Sequence, residues 1–260
     1  MKRCNSLLLA ASSLVWLTLG AGVVSIPAVA EPRPRYGGTL RVAMKETPQT
    51  LDPSIEGVPA TISRLVFETL VELDARGRPQ PLLATSWQSD PGGQRWRFFV
   101  RGGVSFTDGS ALDSAAVAAS LRYSNPQWKL SAASDMVMIE TESAVPDLPA
   151  ELALGRNSIV HRDSTGKFSG SGPFMIAQWE AGKHASLVAN EGYWGGRAFL
   201  DRVQIDFGKN DRDQLLALDL GQADVVGVAP ESIHRARAEN RIVLASEPTE
   251  LMAMVFPSHD

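Results

Sequence analysis

The chain has 260 residues, of which 44% are hydrophobic and 21% charged, with 29 acids against 25 bases for a net charge of −4. That balance excludes a disordered tail or a collagen-like rod, and the acidic excess argues against general nucleic-acid binding, which needs a basic surface. The 22 glycines and 16 prolines point to many turns, and so to a strand-rich or mixed fold.

The first 30 residues stand apart. Lys2 and Arg3 precede an uncharged apolar stretch from Leu7 to Val24, which ends in the small-x-small site Ala28-Val29-Ala30 followed by Glu31-Pro32. This order is that of a cleaved secretory signal over residues 1–30. The alternative is an uncleaved membrane anchor, since the stretch approaches spanning length, but Ser, Thr and Gly dilute it. Cleavage would remove the only cysteine, Cys4, and with it any disulfide or cysteine-ligated metal. A chain of this size can bury about 70% of its unfolded surface, so it can do without disulfides. The expected address is a bacterial periplasm or cell exterior. No second apolar run reaches spanning length, so a soluble product is expected.

After a Pro- and Arg-rich lead, Gly38 to Met44 alternates as a strand, and Thr47 to Pro53 (TPQTLDP) is a loop. Pro59 to Leu73 carries helical periodicity, with Ile62, Leu65, Val66, Leu70 and Leu73 on one face. Arg76-Gly77-Arg78-Pro79 is a turn, Leu82 to Trp87 a short apolar segment, and Asp90-Pro91-Gly92-Gly93 a tight turn. Arg95 to Arg101 is a half-buried strand with Trp96, Phe98 and Val100 inward. Asp113 is placed to cap a helix reaching about Tyr123, and Asp135 to Thr141 is a further strand. Pro173–Trp179 and Ala185–Asn190 read as a hairpin across Glu180-Ala181-Gly182-Lys183. Val203–Phe207, a helix from Asp211 stopped by Gly221, and Ala223–Val228 suggest a βαβ unit. Strands over 241–245 and 251–256 complete a mixed α/β architecture with two subdomains.

Enzyme motifs are absent: there is no GxxxxGK[ST], no HExxH and no GxSxG. Gly170-Ser171-Gly172-Pro173 enters a strand, not a helix, and reads as a turn without a phosphate-binding helix terminus. His161, His184, His234 and His259 form no spaced metal pair and read as surface or loop residues. Asp211 and Asp213 sit where a helix dipole favours acids. Trp128, in the polar loop NPQWK, either walls a ligand pocket or covers the core edge. Arg156, after ELALG, either clamps a ligand carboxylate with two hydrogen bonds or is a solvated loop arginine.

The order of segments carries more. YGGTLRVAM, TLDP, FETLVELDARGRPQPLLATSW, WRFFVRGGVSFTDGSALDSAAVAASL, GSGPFMIAQWEAGKHASLVANEGYWGG and LLALDLGQADVV together resemble the extracellular solute-binding proteins of family 5. That family serves ABC importers of dipeptides, oligopeptides and nickel. The most specific stretches are the V-x-F-x-D/N-G turn at Val104, Phe106, Asp108 and Gly109, and the segment G-S/T-G-P-F/Y…N-x-x-Y-W.

The resemblance implies a type II-like periplasmic-binding-protein lobe I with an additional subdomain. Residues 31–59 would begin lobe I, 60–165 form the additional subdomain, 166–248 return to lobe I, and 249–260 hold the first hinge strand. Lobe II is then absent, and residues 121–150 are shorter than usual for the family. The cleft-lining loop carries over to Ile55, Glu56, Val58, Ala60 and Thr61. In nickel-binding members an arginine in a similar ELALGR segment meets a carboxylate of the metal chelate, which maps to Arg156, and a pocket tryptophan maps loosely to Trp128.

The functional expectation is a periplasmic, monomeric, non-enzymatic component without cofactor. It would capture peptides and deliver them to an inner-membrane ABC permease, with no nucleic-acid partner. A nickel-chelate binder on the same scaffold is the first alternative. A truncated or split member without independent transport is the second, and an exported hydrolase, for which no nucleophile–base pair is evident, is the third.

Overall fold

The computed structural model describes residues 35–55 and 57–228, with single positions at 233, 237, 242 and 243. The expected leader over 1–30, Glu56 and the strand expected over 251–256 lie outside the described residues, as does the strand expected over 241–245 apart from Ile242 and Val243. In chain order, β1 (Thr39–Ala43) runs through a long loop into α1 (Ala60–Val66). β2 (Val71–Leu73), β3 (Pro79–Pro81), β4 (Ala84–Ser89) and β5 (Arg95–Val100) follow. Next come α2 (Ser114–Ser124), β6 (Lys129–Ala133), β7 (Met136–Glu140), α3 (Leu148–Glu151) and a 3-10 turn at Gly155–Asn157. β8 (His161–Arg162) and β9 (Phe168–Ser169) form a short hairpin, and β10 (Phe174–Glu180) pairs with β11 (His184–Ala189). β12 (Arg202–Asp206), α4 (Asp211–Asp219) and β13 (Val225–Val226) complete the described fold.

Two sheets carry two apolar cores. The five-stranded sheet has the order β10-β11-β12-β1-β13, antiparallel through β10, β11 and β12 and parallel across β12, β1 and β13. Its register sets Leu40 opposite Val203 and Val42 opposite Ile205. Because side chains alternate along a strand, these residues share one face with Ala185 and Leu187 and pack on Ile62 and Val66 of α1. The four-stranded antiparallel sheet has the order β4-β5-β7-β6. There Phe98 opposes Val137 and Trp96 opposes Ile139, and Val117, Ala118 and Leu121 of α2 close the core. Each large apolar side chain taken fully from water contributes about 1.5–3 kcal/mol. The alternation expected of Arg95–Arg101 is present: Trp96, Phe98 and Val100 are buried.

Helix ends follow local chemistry. The Asp113 carboxylate accepts the Ala116 N–H at 2.8 Å, as the sequence suggests. At α4 the cap is Asn210, not Asp211: Asn210 Oδ1 accepts the Asp213 N–H at 2.9 Å, and both aspartates sit in the first turn. Gly221, at φ +65°, lets the Gln222 N–H reach the Ala217 carbonyl at 2.8 Å and closes the helix.

One expected helix is cut short. The apolar spacing over 59–73 suggested a single helix, yet α1 ends at Val66 and Phe67 is extended at φ −120°, ψ 148°. The apolar residues divide between the two cores, Ile62 and Val66 under the five-stranded sheet, Leu70 and Val71 in the other. The chain has to straighten between them, and Glu68 there forms an antiparallel bridge to Ile159.

The side chain of Glu68 is buried, and its carboxylate accepts three hydrogen bonds: Ser171 Oγ at 2.7 Å, Tyr193 OH at 2.8 Å and Trp194 Nε1 at 2.9 Å. Three separated motifs, FETL, GSGPF and NEGYW, are thereby tied at one carboxylate. Burial and the adjacent Glu68 charge push the Tyr193 phenol well above its usual range. The glycines of GSGPF lie against the end of α1. A Cβ on Gly170 would stand 2.0 Å from the Val66 carbonyl oxygen, and one on Gly172 2.7 Å from the Val66 carbonyl carbon.

Candidate functional site

Adjacent parallel strands β1 and β12 send the chain to opposite faces of the sheet. α1, after β1, packs on the face of Leu40, Val42, Val203 and Ile205. α4, after β12, packs on the other: its Asp213, Leu216 and Ala217 line a cavity of about 390 Å³ with Arg41, Ala43, Gln204 and Asp206. In open α/β sheets the crevice beyond the carboxyl ends of two such strands is the usual ligand position, because the connecting segments splay apart there. The loop after β1, over 44–59, rises from that edge. Backbone bonds tie it down: Lys209 N–H to the Met44 carbonyl at 2.9 Å, Gly208 N–H to Glu46 at 3.1 Å, and Gly182 N–H to Pro48 at 2.8 Å.

Farther along the loop, the Asp52 carboxylate accepts Ser54 Oγ at 2.6 Å and the Ser54 N–H at 3.0 Å, folding the loop back on itself. It also accepts two bonds from Arg162 Nη2, at 2.7 and 2.9 Å. Burial alone would raise the Asp52 carboxyl, but the bonds from Arg162 and Ser54 outweigh it and hold the group below the usual carboxylate range. The Arg162 guanidinium lies over the Tyr123 ring of α2, 4.0 Å from its centroid.

Arg162 is itself placed by the β8–β9 hairpin, which the Asp108 turn clamps. Asp108 accepts Ser110 Oγ at 2.6 Å and Ser169 Oγ at 2.7 Å, and His161 Nδ1 lies 2.6 Å from Asp108 Oδ2. Burial works to raise this carboxyl too, but the bonds from Ser110, Ser169 and His161 hold it well below the usual range. The D-G turn therefore anchors a hairpin instead of exposing chemistry.

The residues singled out in the sequence distribute unevenly. Ile55 is 49% exposed on the loop, Val58 is half-buried, and Ala60 and Thr61 are exposed at the start of α1. The 3-10 turn carrying Arg156 contacts both α1 and α2. Its guanidinium is exposed and ion-paired with Glu151. The turn is fixed from beneath by buried Asn157, which accepts Asn125 Nδ2 at 2.9 Å and donates to the Glu151 carbonyl at 2.7 Å. Trp128 is half-buried against the core of the four-stranded sheet. Arg162, Asp52 and Tyr123 escaped the sequence reading as site residues. The one local signal was the Asp-Pro-Ser run of TLDPS; nothing in the linear sequence points from it to Arg162. Among the described residues no group of three or more His, Cys, Asp or Glu is set to hold a metal, and no helix is long and apolar enough to cross a membrane.

This mixed α/β architecture is that of the periplasmic binding proteins. A profile of the bacterial extracellular solute-binding proteins, family 5 Middle, matches residues 78–259, and the chain belongs to that family. Members of this family are binding proteins rather than enzymes. The chain is 24% identical to the probable D,D-dipeptide-binding periplasmic protein DdpA of Escherichia coli, over 81% of this chain and 47% of that protein. It is 26% identical to the nickel-binding periplasmic protein of Escherichia coli, over 62% of this chain and 36% of the relative. The crystal structure of a nickel ABC transporter protein from Bacillus halodurans superposes with a TM-score of 0.68 at 30% identity, covering 77% of this chain and 45% of the other. The chain thus spans less than half the length of each of these proteins.

Proposed function

We propose that this chain supplies one lobe of a periplasmic clamp that captures peptides for an ABC importer, without covalent change to the ligand. The observation that carries this reading is the crevice at the carboxyl ends of β1 and β12, with its loop pinned by Arg162. A ligand held there meets Ile55, Val58, Ala60 and Thr61, with Glu56, Arg156 and Trp128 assigned to the same cleft by the family resemblance. Polar groups and water grip the peptide backbone while apolar walls accept varied side chains. Residues 60–165 would serve as the additional subdomain beside lobe I. The closed form would dock on the inner-membrane permease as a monomer, after export through removal of residues 1–30.

A nickel chelate is the second reading. It is favoured by the 30% identity to the nickel-transporter structure and by the ELALGR segment. There Arg156 would exchange its Glu151 partner for a carboxylate of the chelate.

Thermal unfolding of the purified chain followed by tryptophan fluorescence separates the readings. A ligand at about 100 times its Kd adds about 2.7 kcal/mol. Peptide capture raises the midpoint with a peptide pool and not with nickel–histidine; the chelate reading gives the reverse. A broad transition indifferent to both overturns independent capture by this chain.

A further inference from the structure

We propose that Tyr123 is a stacking platform in this cleft and takes an aromatic side chain of the bound solute. The inference rests on the solute-capture reading above and names a specificity element within it. Tyr123 sits on the last turn of α2, two positions beyond buried Leu121, and is 60% exposed. An isolated exposed aromatic is ordinary. This one is held from behind: the Arg162 guanidinium covers one face at 4.0 Å, and Arg162 is fixed by both Asp52 oxygens and by Ser54 Oγ at 3.1 Å.

The Asp52 carboxylate therefore holds the guanidinium by its Nη2 edge, the guanidinium lies over one face of the phenol ring, and the ring is otherwise largely exposed. The Tyr123 hydroxyl has no hydrogen-bond partner among the described residues, so no polar contact holds the ring away from a ligand. Ile55, one residue past Ser54 on the same anchored loop, supplies an exposed apolar neighbour in sequence. A ring already immobilised costs little further entropy on binding. The guanidinium draws electron density from the ring, so the open face disfavours a second cation and favours an electron-rich ring in offset stacking. Indole and phenol side chains fit that description.

Isothermal titration of the full chain with Ala-Trp and Ala-Ala tests the assignment. The wild type is expected to bind Ala-Trp about 2- to 10-fold more tightly, the range that aromatic pairing supplies. Tyr123→Leu, which keeps apolar bulk without a ring, should abolish that ratio, and Tyr123→Phe should keep it. Both variants lie at an exposed position, and an unchanged melting curve verifies folding. If the ratio survives in Tyr123→Leu, the platform is overturned while peptide capture stands. If the wild type binds neither peptide, the capture reading fails and takes this inference with it.

Discussion

The Asp52 carboxylate and the Arg162 guanidinium, 110 positions apart in the chain, meet at 2.7 and 2.9 Å. The pair joins the loop after β1 to a hairpin that belongs to neither sheet. Both side chains are largely buried, 10% and 20% exposed. Removing one partner from such a pair strands the other, at a cost of about 1–3 kcal/mol. Arg162→Met should therefore lower stability by that amount in urea denaturation and quicken amide exchange at Ser54 and Ile55. An unchanged exchange rate at those amides would show that the loop is held by other means.

The same pair sets an acid limit. Asp52 and Asp108 both titrate below the ordinary carboxylate range when folded. A depressed folded value means the unfolded chain takes up protons first. The stabilisation is then complete above the unfolded pKa of about 4 and is lost as pH falls through the folded values. Stability should be flat in this respect from neutral pH to about 5 and decline below it, and Asp52→Asn should flatten part of the decline. A decline of the same slope in that variant would remove Asp52 from the explanation.

Regular elements were legible in the sequence because a single local rule governs each of them. Alternation in RWRFFVR gave β5, the Asp113 cap gave α2, and the Glu180–Lys183 turn gave the β10–β11 hairpin. Over 59–73 the local rule was overridden. Ile62, Val66 and Leu70 share a helical spacing but serve two cores, and no local signal distinguishes one core from two. The loop after β1 was recognised by family pattern, whereas its anchor was not, because Arg162 reaches it only through the folded β8–β9 hairpin. Arg156 stood out for its lone position after ELALG, and only the structure reveals its partner Glu151.

Glu68 makes a sharper test of how the motifs cooperate. Its carboxylate is the common acceptor for Ser171, Tyr193 and Trp194. Glu68→Leu keeps much of the bulk but removes both acceptor oxygens, so all three donors lose their partner. The expected loss is about 1–3 kcal/mol, with a change in the tryptophan emission spectrum, since Trp194 Nε1 loses its partner. Ser171→Ala removes a single donor and should cost less. Equal losses in the two variants would mean that the carboxylate does not act as a shared hub.

The glycines of GSGPF offer a prediction that separates steric fit from backbone freedom. Neither Gly170 nor Gly172 has a positive φ, so no left-handed backbone bars alanine at either position. What forbids it at Gly170 is the Val66 carbonyl oxygen, 2.0 Å from where the Cβ would stand, on backbone that cannot swing aside. Gly102 is the matched control, since its φ is also not positive and no atom lies within 4 Å of its Cβ position. Gly102→Ala should be neutral or stabilising by about 0.4–1 kcal/mol, because it restricts only the unfolded chain. Gly170→Ala should cost about 1–3 kcal/mol, the usual price of overpacking, as the strand entry is pushed off the end of α1. That displacement moves Ser171 away from Glu68 as well, so Gly170→Ala combined with Ser171→Ala should cost less than the two losses added together. Strict additivity would mean that the GSGPF backbone yields at Gly170 without disturbing the Ser171 bond to Glu68.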